Sequence, residues 1–304
     1  MAEAAVISFD REAPLREENW PMRIVVIDSK SLTGHMICQY LLERNRHELY
    51  STTKDPGRSP NRLYLDPLDS LMVEKLLQSL RPDVVINCSG IVYDEARQHE
   101  VDAYRVNGLL PHQLAELASR LGFKLIHLST DSVFDGERGS YEERHVPNGS
   151  SVYGRTKALG ELIQPPSLTV RTSLLGPAAE GREEGLLNWF LHRKGTARGF
   201  ASVLWNGITT LELAKFISYV IDNAIELGGI VHLTASQTIS KHDLLLLLQD
   251  VFEQRDISIH ADDSVVLKRT LASTRPDVRY PTPSHIEMIT ELRDWMIKYE
   301  MQGR

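Results

Sequence analysis

From Met22 onward, apolar residues fall into two alternating patterns: short unbroken runs, and longer stretches in which they recur every three or four positions. Met22-Arg23-Ile24-Val25-Val26-Ile27 has the length and composition of a strand, and His35-Met36-Ile37-Cys38-Gln39-Tyr40-Leu41-Leu42 has the spacing of a helix face. The pairing then repeats. Residues 47–51 and 62–65 read as a second strand and a short third. Residues 68–80 read as a helix stopped near Arg81-Pro82, and 83–87 as an apolar strand covered on both faces. A long helix is expected over 101–121, closed by Gly122, with the next strand over 123–128. This order specifies an α/β protein with a doubly wound parallel sheet. The second half is less regular. A sixth strand is expected over 167–171, helices over 183–194, 209–226, 240–254 and 284–300, and short strands near 201–205 and 230–233.

The chain has 304 residues, 42% hydrophobic and 25% charged, enough for one large α/β domain with a smaller lobe. Its net charge of -7 excludes the broad basic footprint of a nucleic-acid binder. Two cysteines, Cys38 and Cys88, fit a reduced, cytoplasmic protein rather than a disulfide framework. The longest apolar run, 244–248, is far short of a membrane span, so no membrane partner is expected. Residues 1–21 mix acidic residues with Arg11 and Arg16 and read as a flexible N-terminal extension. His127, His145 and His192 show no metal-ligand spacing.

In doubly wound sheets ligands bind beyond the carboxyl ends of the strands. After the first strand a dinucleotide-binding turn would read G-x-x-G-x-x-G, whereas this chain reads Asp28-x-x-Ser31-x-x-Gly34. Gly34 retains the glycine that lets helix and strand pack closely. Ser31 is small and brings a hydroxyl, and the helix is expected to start near Leu32. Asp28 sets a carboxylate beside the place of a pyrophosphate, unless it points away or caps that helix. At the end of the second strand stand Ser51-Thr52-Thr53-Lys54, with Arg58 beyond. With no acid there for a ribose 2′-hydroxyl, Lys54 or Arg58 would suit a 2′-phosphate, favouring NADPH over NADH.

Tyr153 and Lys157 lie four apart in a segment that follows Ser150-Ser151 and runs to Pro165-Pro166, so they share one face of a helix. A second such pair, Tyr50 and Lys54, ends a strand, where four residues span about 13 Å. An ammonium near a phenol lowers its pKa and lets it exchange a proton with a carbonyl or alcohol. Thr130, at the end of the strand before 131–136, supplies a hydroxyl for the same oxygen.

These residues resemble an extended short-chain dehydrogenase/reductase, and within that superfamily the dTDP-4-dehydrorhamnose reductases and related sugar-nucleotide reductases. The likeness rests on Arg81-Pro82-Asp83-Val84-Val85-Ile86-Asn87, Asn107, Ser129-Thr130-Asp131 with Val133-Phe134-Asp135-Gly136, Tyr153-Gly154-x-x-Lys157 with Gly160-Glu161, and Arg171-Thr172-Ser173. The resemblance implies a Rossmann domain over 22–172 and a mainly substrate-binding lobe over 173–304. It implies reduction of a keto group on a deoxysugar nucleotide for surface polysaccharide, with Thr130 and Tyr153 acting on the carbonyl and Lys157 on both the phenol and the nicotinamide ribose. Asn107 would support the lysine, Cys88-Ser89-Gly90 would line the cofactor, and Asp66 would meet the adenine. Asp131-Ser132 lacks the glutamate that a 4,6-dehydratase uses as a base, so dehydration is not expected. On the substrate side Trp205 is a candidate for stacking on the base, and Arg275 for the diphosphate. Related chains pair through long helices, here 101–121 and 151–163, which makes a homodimer the expected assembly. Two other readings share these residues: a sugar-nucleotide epimerase, and a non-catalytic regulatory subunit like the β subunit of methionine adenosyltransferase.

Overall fold

A computed structural model describes residues 21–55, 60–179 and 185–302. Residues 1–20, Arg58 and the start of the helix expected from 183 lie outside them. The chain begins with β1 (Arg23–Ile27), α1 (Gly34–Arg44), β2 (Glu48–Thr53), β3 (Arg62–Tyr64), α2 (Ser70–Leu80) and β4 (Val84–Asn87). Next come α3 (Tyr93–Gln98), α4 (Glu100–Ala103), a π-helical turn (Tyr104–Leu109), α5 (Leu110–Leu121) and β5 (Lys124–Thr130). Then follow α6 (Val152–Leu159), β6 (Leu168–Thr172), β7 (Leu174–Leu175), α7 (Leu186–His192), β8 (Gly195–Phe200), β9 (Val203–Trp205) and β10 (Ile208–Thr209). The chain closes with α8 (Thr210–Asp222), β11 (Gly229–His232), β12 (Ile239–Ser240), α9 (Lys241–Val251), β13 (Ile257–Asp262), β14 (Leu267–Lys268) and α10 (His285–Gln302).

Seven strands pair in parallel in the order β11-β6-β5-β4-β1-β2-β3. The order reverses between β1 and β4, which opens a crevice beyond their carboxyl ends. Alternate residues of each strand feed two cores. Ile24, Val26, Ile86, Ile126 and Val170 pack with Ile37 of α1 and Phe216 of α8. Val25, Ile27, Val85 and Leu125 pack with Val73 and Leu77 of α2 and Leu110 and Leu114 of α5. Both faces are covered, which is why the strands read as unbroken apolar runs. No helix among the described residues is long and apolar enough to cross a membrane.

Several expectations are corrected. The strand expected near 230–233 is β11, which joins the main sheet beside β6, so the later half of the chain is not a separate lobe throughout. It also covers α1: Trp295 Nε1 donates to Gln39 at 3.0 Å and the Tyr299 hydroxyl to Glu43 at 2.5 Å. The helix expected to run to residue 163 stops at Leu159. A side chain at the next position, Gly160, would bring its Cβ within 1.9 Å of the Asn107 carbonyl oxygen. The helix expected over 101–121 is interrupted by the π-helical turn, although Gly122 closes it as expected with φ +82°.

The helix α6 is tied to the sheet by charge. Glu161, just beyond it, accepts from Arg171 Nε and Nη2 of β6, each at 2.6 Å, and from the Ser129 hydroxyl of β5 at 2.7 Å. Both charged side chains are almost fully buried. Removing one member of such a pair strands the other charge, whereas replacing both with apolar groups is often near neutral. Glu161→Leu is therefore expected to lower unfolding stability in urea by about 3–5 kcal/mol, and Glu161→Leu/Arg171→Met to recover most of that loss. A single variant within about 1 kcal/mol of wild type would show that the pair does not anchor α6.

Candidate active site

The turn after β1 keeps a glycine's backbone without the glycine. Asp28 has φ +64°, the left-handed conformation that Asp tolerates better than most side chains. Its N–H donates to Thr52 Oγ1 at 3.2 Å, and its carbonyl accepts from Ser31 Oγ at 2.9 Å. The helix begins at Gly34 rather than near Leu32, and the hydroxyl of Ser31, not the Asp28 carboxylate, accepts from the Gly34 N–H at 3.1 Å. A Cβ at residue 34 would lie 2.0 Å from the Asp28 carbonyl oxygen, so this close crossing requires glycine. The first turn of α1 carries no acidic residue, which leaves its amino end suited to an anion.

A cavity of about 650 Å³ takes in this turn and runs along the strand ends. In the order of the strands, Lys54 beyond β2 lines one end, Ser31 and Leu32 beyond β1 and then Cys88, Ser89 and Gly90 beyond β4 the middle, and Thr130 and Asp131 beyond β5, with Tyr153 and Lys157, the other end. A cavity that spans the ends of β2, β1, β4 and β5 and includes a helix terminus fits a dinucleotide. The rim at β2 is more balanced in charge than expected. Lys30 pairs with Asp55 at 2.5 Å and Lys54 with Asp66 at 3.6 Å. Asp55 is thus an acid close to the end of β2, where none was expected. Asp66 also accepts from the Leu68 N–H at 3.1 Å; its neighbours Leu65 and Pro67 face the cavity.

At the end beyond β5 both expected hydroxyls line the cavity. Ser151 caps α6, accepting from the Gly154 N–H at 3.0 Å, and places Tyr153 and Lys157 one turn apart facing the end of β5. Thr130 and Tyr153 line the same end of the cavity. Burial pushes the Tyr153 phenol's pKa up, the nearby Tyr93 and Asp131 act in the same direction, and the Thr130 hydroxyl acts to lower it. Lys157, one turn along α6, turns its ammonium toward β5. Its ammonium donates to the Leu128 carbonyl at 2.6 Å and lies 3.5 Å from His127 Nε2. Burial lowers the Lys157 pKa to about 8, partly offset by Glu161. Burial, with Lys157 adding to it, holds the His127 imidazole well below its usual range, so His127 is neutral beneath the site.

Asp131 accepts from the hydroxyls of Thr130 at 3.2 Å and Ser132 at 3.3 Å. Burial raises its pKa, while Arg269 and Lys241 oppose the rise. Lys241, which the sequence reading missed, is lowered to about 8 by burial, with Asp131 opposing. Only its position before the apolar run at 244–248 marked it in the sequence. Asn107 sits in the π-helical turn but does not reach the lysine. Its Nδ2 donates to the Ile91 carbonyl at 2.8 Å and to Thr156 Oγ1 at 3.0 Å, and its Oδ1 accepts from the Ile91 N–H at 2.9 Å. It fastens the segment after β4 to α6. Tyr93, also missed, follows that segment and packs its ring 4.9 Å from the Tyr153 ring.

Two substrate-side expectations fail on geometry. Trp205 is buried, with His285 stacked at 5.2 Å, the Lys241 ammonium over its ring at 4.8 Å and its N–H donated to Ser173 at 3.0 Å, so no face is open to a base. Arg275 donates to the carbonyls of Gly228 and Ile230, both at 3.0 Å, and pairs with Asp277. That is the amino end of β11, the wrong end of the sheet for the cavity.

The family described as the RmlD substrate binding domain matches residues 22–276. The dTDP-4-dehydrorhamnose reductase of Aggregatibacter actinomycetemcomitans is 26% identical over 238 residues, 75% of this chain and 78% of that protein. Methionine adenosyltransferase 2 subunit beta of Xenopus tropicalis is 32% identical over 143 residues, 46% of this chain and 41% of that protein. Among solved structures, a dTDP-4-dehydrorhamnose reductase from Bacillus anthracis in complex with NADP superposes with a TM-score of 0.77 over 91% of this chain and 100% of its own. At 19% identity it shows the fold alone.

The buried lysine fixes the sign of one pH effect. Folded Lys157 titrates near 8 against 10.5 for a free side chain, so between these values the unfolded chain holds more protons and stability rises with pH. Lys157→Met is expected to raise the urea midpoint at pH 7, with its advantage over wild type shrinking as the pH passes 8 toward 10. A midpoint below wild type at pH 7 would mean that the bond to the Leu128 carbonyl outweighs the cost of burial.

Proposed function

Because the chain belongs to the RmlD substrate-binding-domain family, we propose that it reduces the keto group of a dTDP-4-dehydro-6-deoxysugar with NADPH. The observation that carries this reading is that the hydroxyls of Thr130 and Tyr153 line one end of the same cavity that takes in the turn 28–34. The relatives in the family include dTDP-4-dehydrorhamnose reductases, and one solved neighbour holds NADP.

The cofactor, when bound, supplies the hydride to the carbonyl carbon. Ser31, Leu32 and the amino end of α1 would take its pyrophosphate, Lys54 its ribose phosphate, Asp66 its adenine end, and Cys88, Ser89 and Gly90 its length along β4. Tyr153 keeps its proton at neutral pH, as the acid of a reduction must, and donates it to the carbonyl oxygen as the new C–H bond forms. Thr130 polarises the same oxygen by turning its hydroxyl from Asp131. Lys157 would hold the nicotinamide ribose with an ammonium already desolvated. Ser132 offers no base for abstracting a proton from a sugar carbon, which leaves simple reduction. An exposed Val101, Leu109 and Leu159 on the long helix and α6 support pairing with a second copy there.

The test is NADPH consumption with dTDP-4-dehydrorhamnose, alongside calorimetric titration of NADPH and NADH. Tyr153→Phe is expected to lower kcat at least about 100-fold with the NADPH Kd unchanged. Turnover retained in that variant would remove Tyr153 as the acid, and a wild type that neither binds nor consumes NADPH would overturn the reductase reading in favour of a regulatory role. A separate outcome concerns the turn. Asp28→Gly removes a carboxylate while keeping the backbone conformation, and is expected to tighten NADPH binding about tenfold. An unchanged Kd would show that the carboxylate does not face the phosphates.

A further inference from the structure

Tyr93 carries the one aromatic side chain among the described residues whose backbone is left-handed, with φ +40°. For a bulky residue this is an outlier, and such conformations persist where surrounding structure fixes them and cluster at ligand sites. Here the fixing is visible. Two residues earlier, both polar backbone groups of Ile91 are held by the single amide of Asn107, and at Tyr93 the chain turns directly into α3. The conformation delivers the Tyr93 ring to a particular place: 4.9 Å from the Tyr153 ring, with the planes inclined at 48°.

Packing does not explain this placement. The side chain remains 66% exposed, so the protein gains little by burying it. Its open surface faces the cavity that also holds Thr130, Asp131 and Tyr153. The neighbours are those of the reacting carbonyl, not those of the pyrophosphate turn. A flat apolar surface beside a proton donor suits the C–H face of a sugar ring. It suits a 6-deoxysugar above all, because the methyl carbon stands one ring atom away from a 4-keto group. A hydroxymethyl in that place would bring a hydroxyl against the ring and lose hydrogen bonds to water.

We propose that Tyr93 is a specificity-determining residue: its exposed ring receives the apolar face and C6 methyl of the deoxysugar and so contributes to holding it in the cavity beside Tyr153 and Thr130. This rests on the reductase reading above.

The experiment compares wild type, Tyr93→Ala and Tyr93→Phe in steady-state kinetics with dTDP-4-dehydrorhamnose, with the NADPH Kd measured on each by calorimetry and the fold checked by melting temperature. Tyr93→Ala is expected to raise KM about tenfold, with kcat and the NADPH Kd changed less than about twofold, and Tyr93→Phe to restore the wild-type KM. Three results overturn the assignment: an unchanged KM in Tyr93→Ala, a weakening of NADPH binding that matches the rise in KM, or a Tyr93→Phe variant as impaired as Tyr93→Ala. Each of these requires a wild type that consumes NADPH, so each counts against Tyr93 and not against the reductase reading. A wild type that consumes none overturns that reading first, and this assignment with it.

Discussion

The arrangement of the site depends on the buried ion pair between Glu161 and Arg171. Its two members come from the loop that ends α6 and from the strand β6, and Ser129 brings in β5 through the same carboxylate. Tyr153 and Lys157 lie on α6 and Thr130 at the end of β5, so one carboxylate sets the spacing of the three. Arg171 also stacks over the Phe134 ring at 5.1 Å and approaches His232 of β11 at 3.3 Å. An apolar contact would hold α6 against the sheet but would tolerate sliding. A bidentate pair with directional bonds fixes register as well as distance.

Around that anchor, the polar groups are held away from their solution behaviour by burial. The lowered Lys157, the neutral His127 and the raised Tyr153 phenol share one cause, removal from water. Such groups cost stability when nothing is bound, and a site that keeps them is built for a ligand that supplies their missing partners. The turn at Asp28 follows the same logic in the backbone. An aspartate holds the left-handed conformation there because Thr52 and Ser31 fix the backbone on either side.

Much of this was legible in the sequence, and the failures have identifiable causes. Strands buried on both faces, such as Val84–Asn87, announce themselves as unbroken apolar runs. Tyr153 and Lys157 could be placed because helical spacing and a serine cap are local. The helix α3 could not be seen, since six residues with only Ala96 buried carry no period. Among the described residues the strands β8 and β13 pair only with each other, and they have half-polar sequences, Gly195–Phe200 and Ile257–Asp262. Arg275 and Trp205 were misplaced because their roles depend on where loops of the later half return, which spacing does not encode. Asn107 could be singled out, but not its partners, Ile91 and Thr156, which lie 16 and 49 residues away. Tyr93 was invisible because a backbone angle, not a residue type, gives it its position.

The π-helical turn at Tyr104–Leu109 acts as a spacer one residue longer than an α-helical turn. Losing one residue there would restore a regular helix and swing everything on its amino side by about 100°. The Asn107 amide would leave Ile91, and the carbonyl that accommodates Gly160 would turn away with it. Point substitutions can tune a helix gradually, but this turn has only two lengths. A change of length at this turn is therefore a discrete step, one that substitutions elsewhere cannot reproduce by degrees.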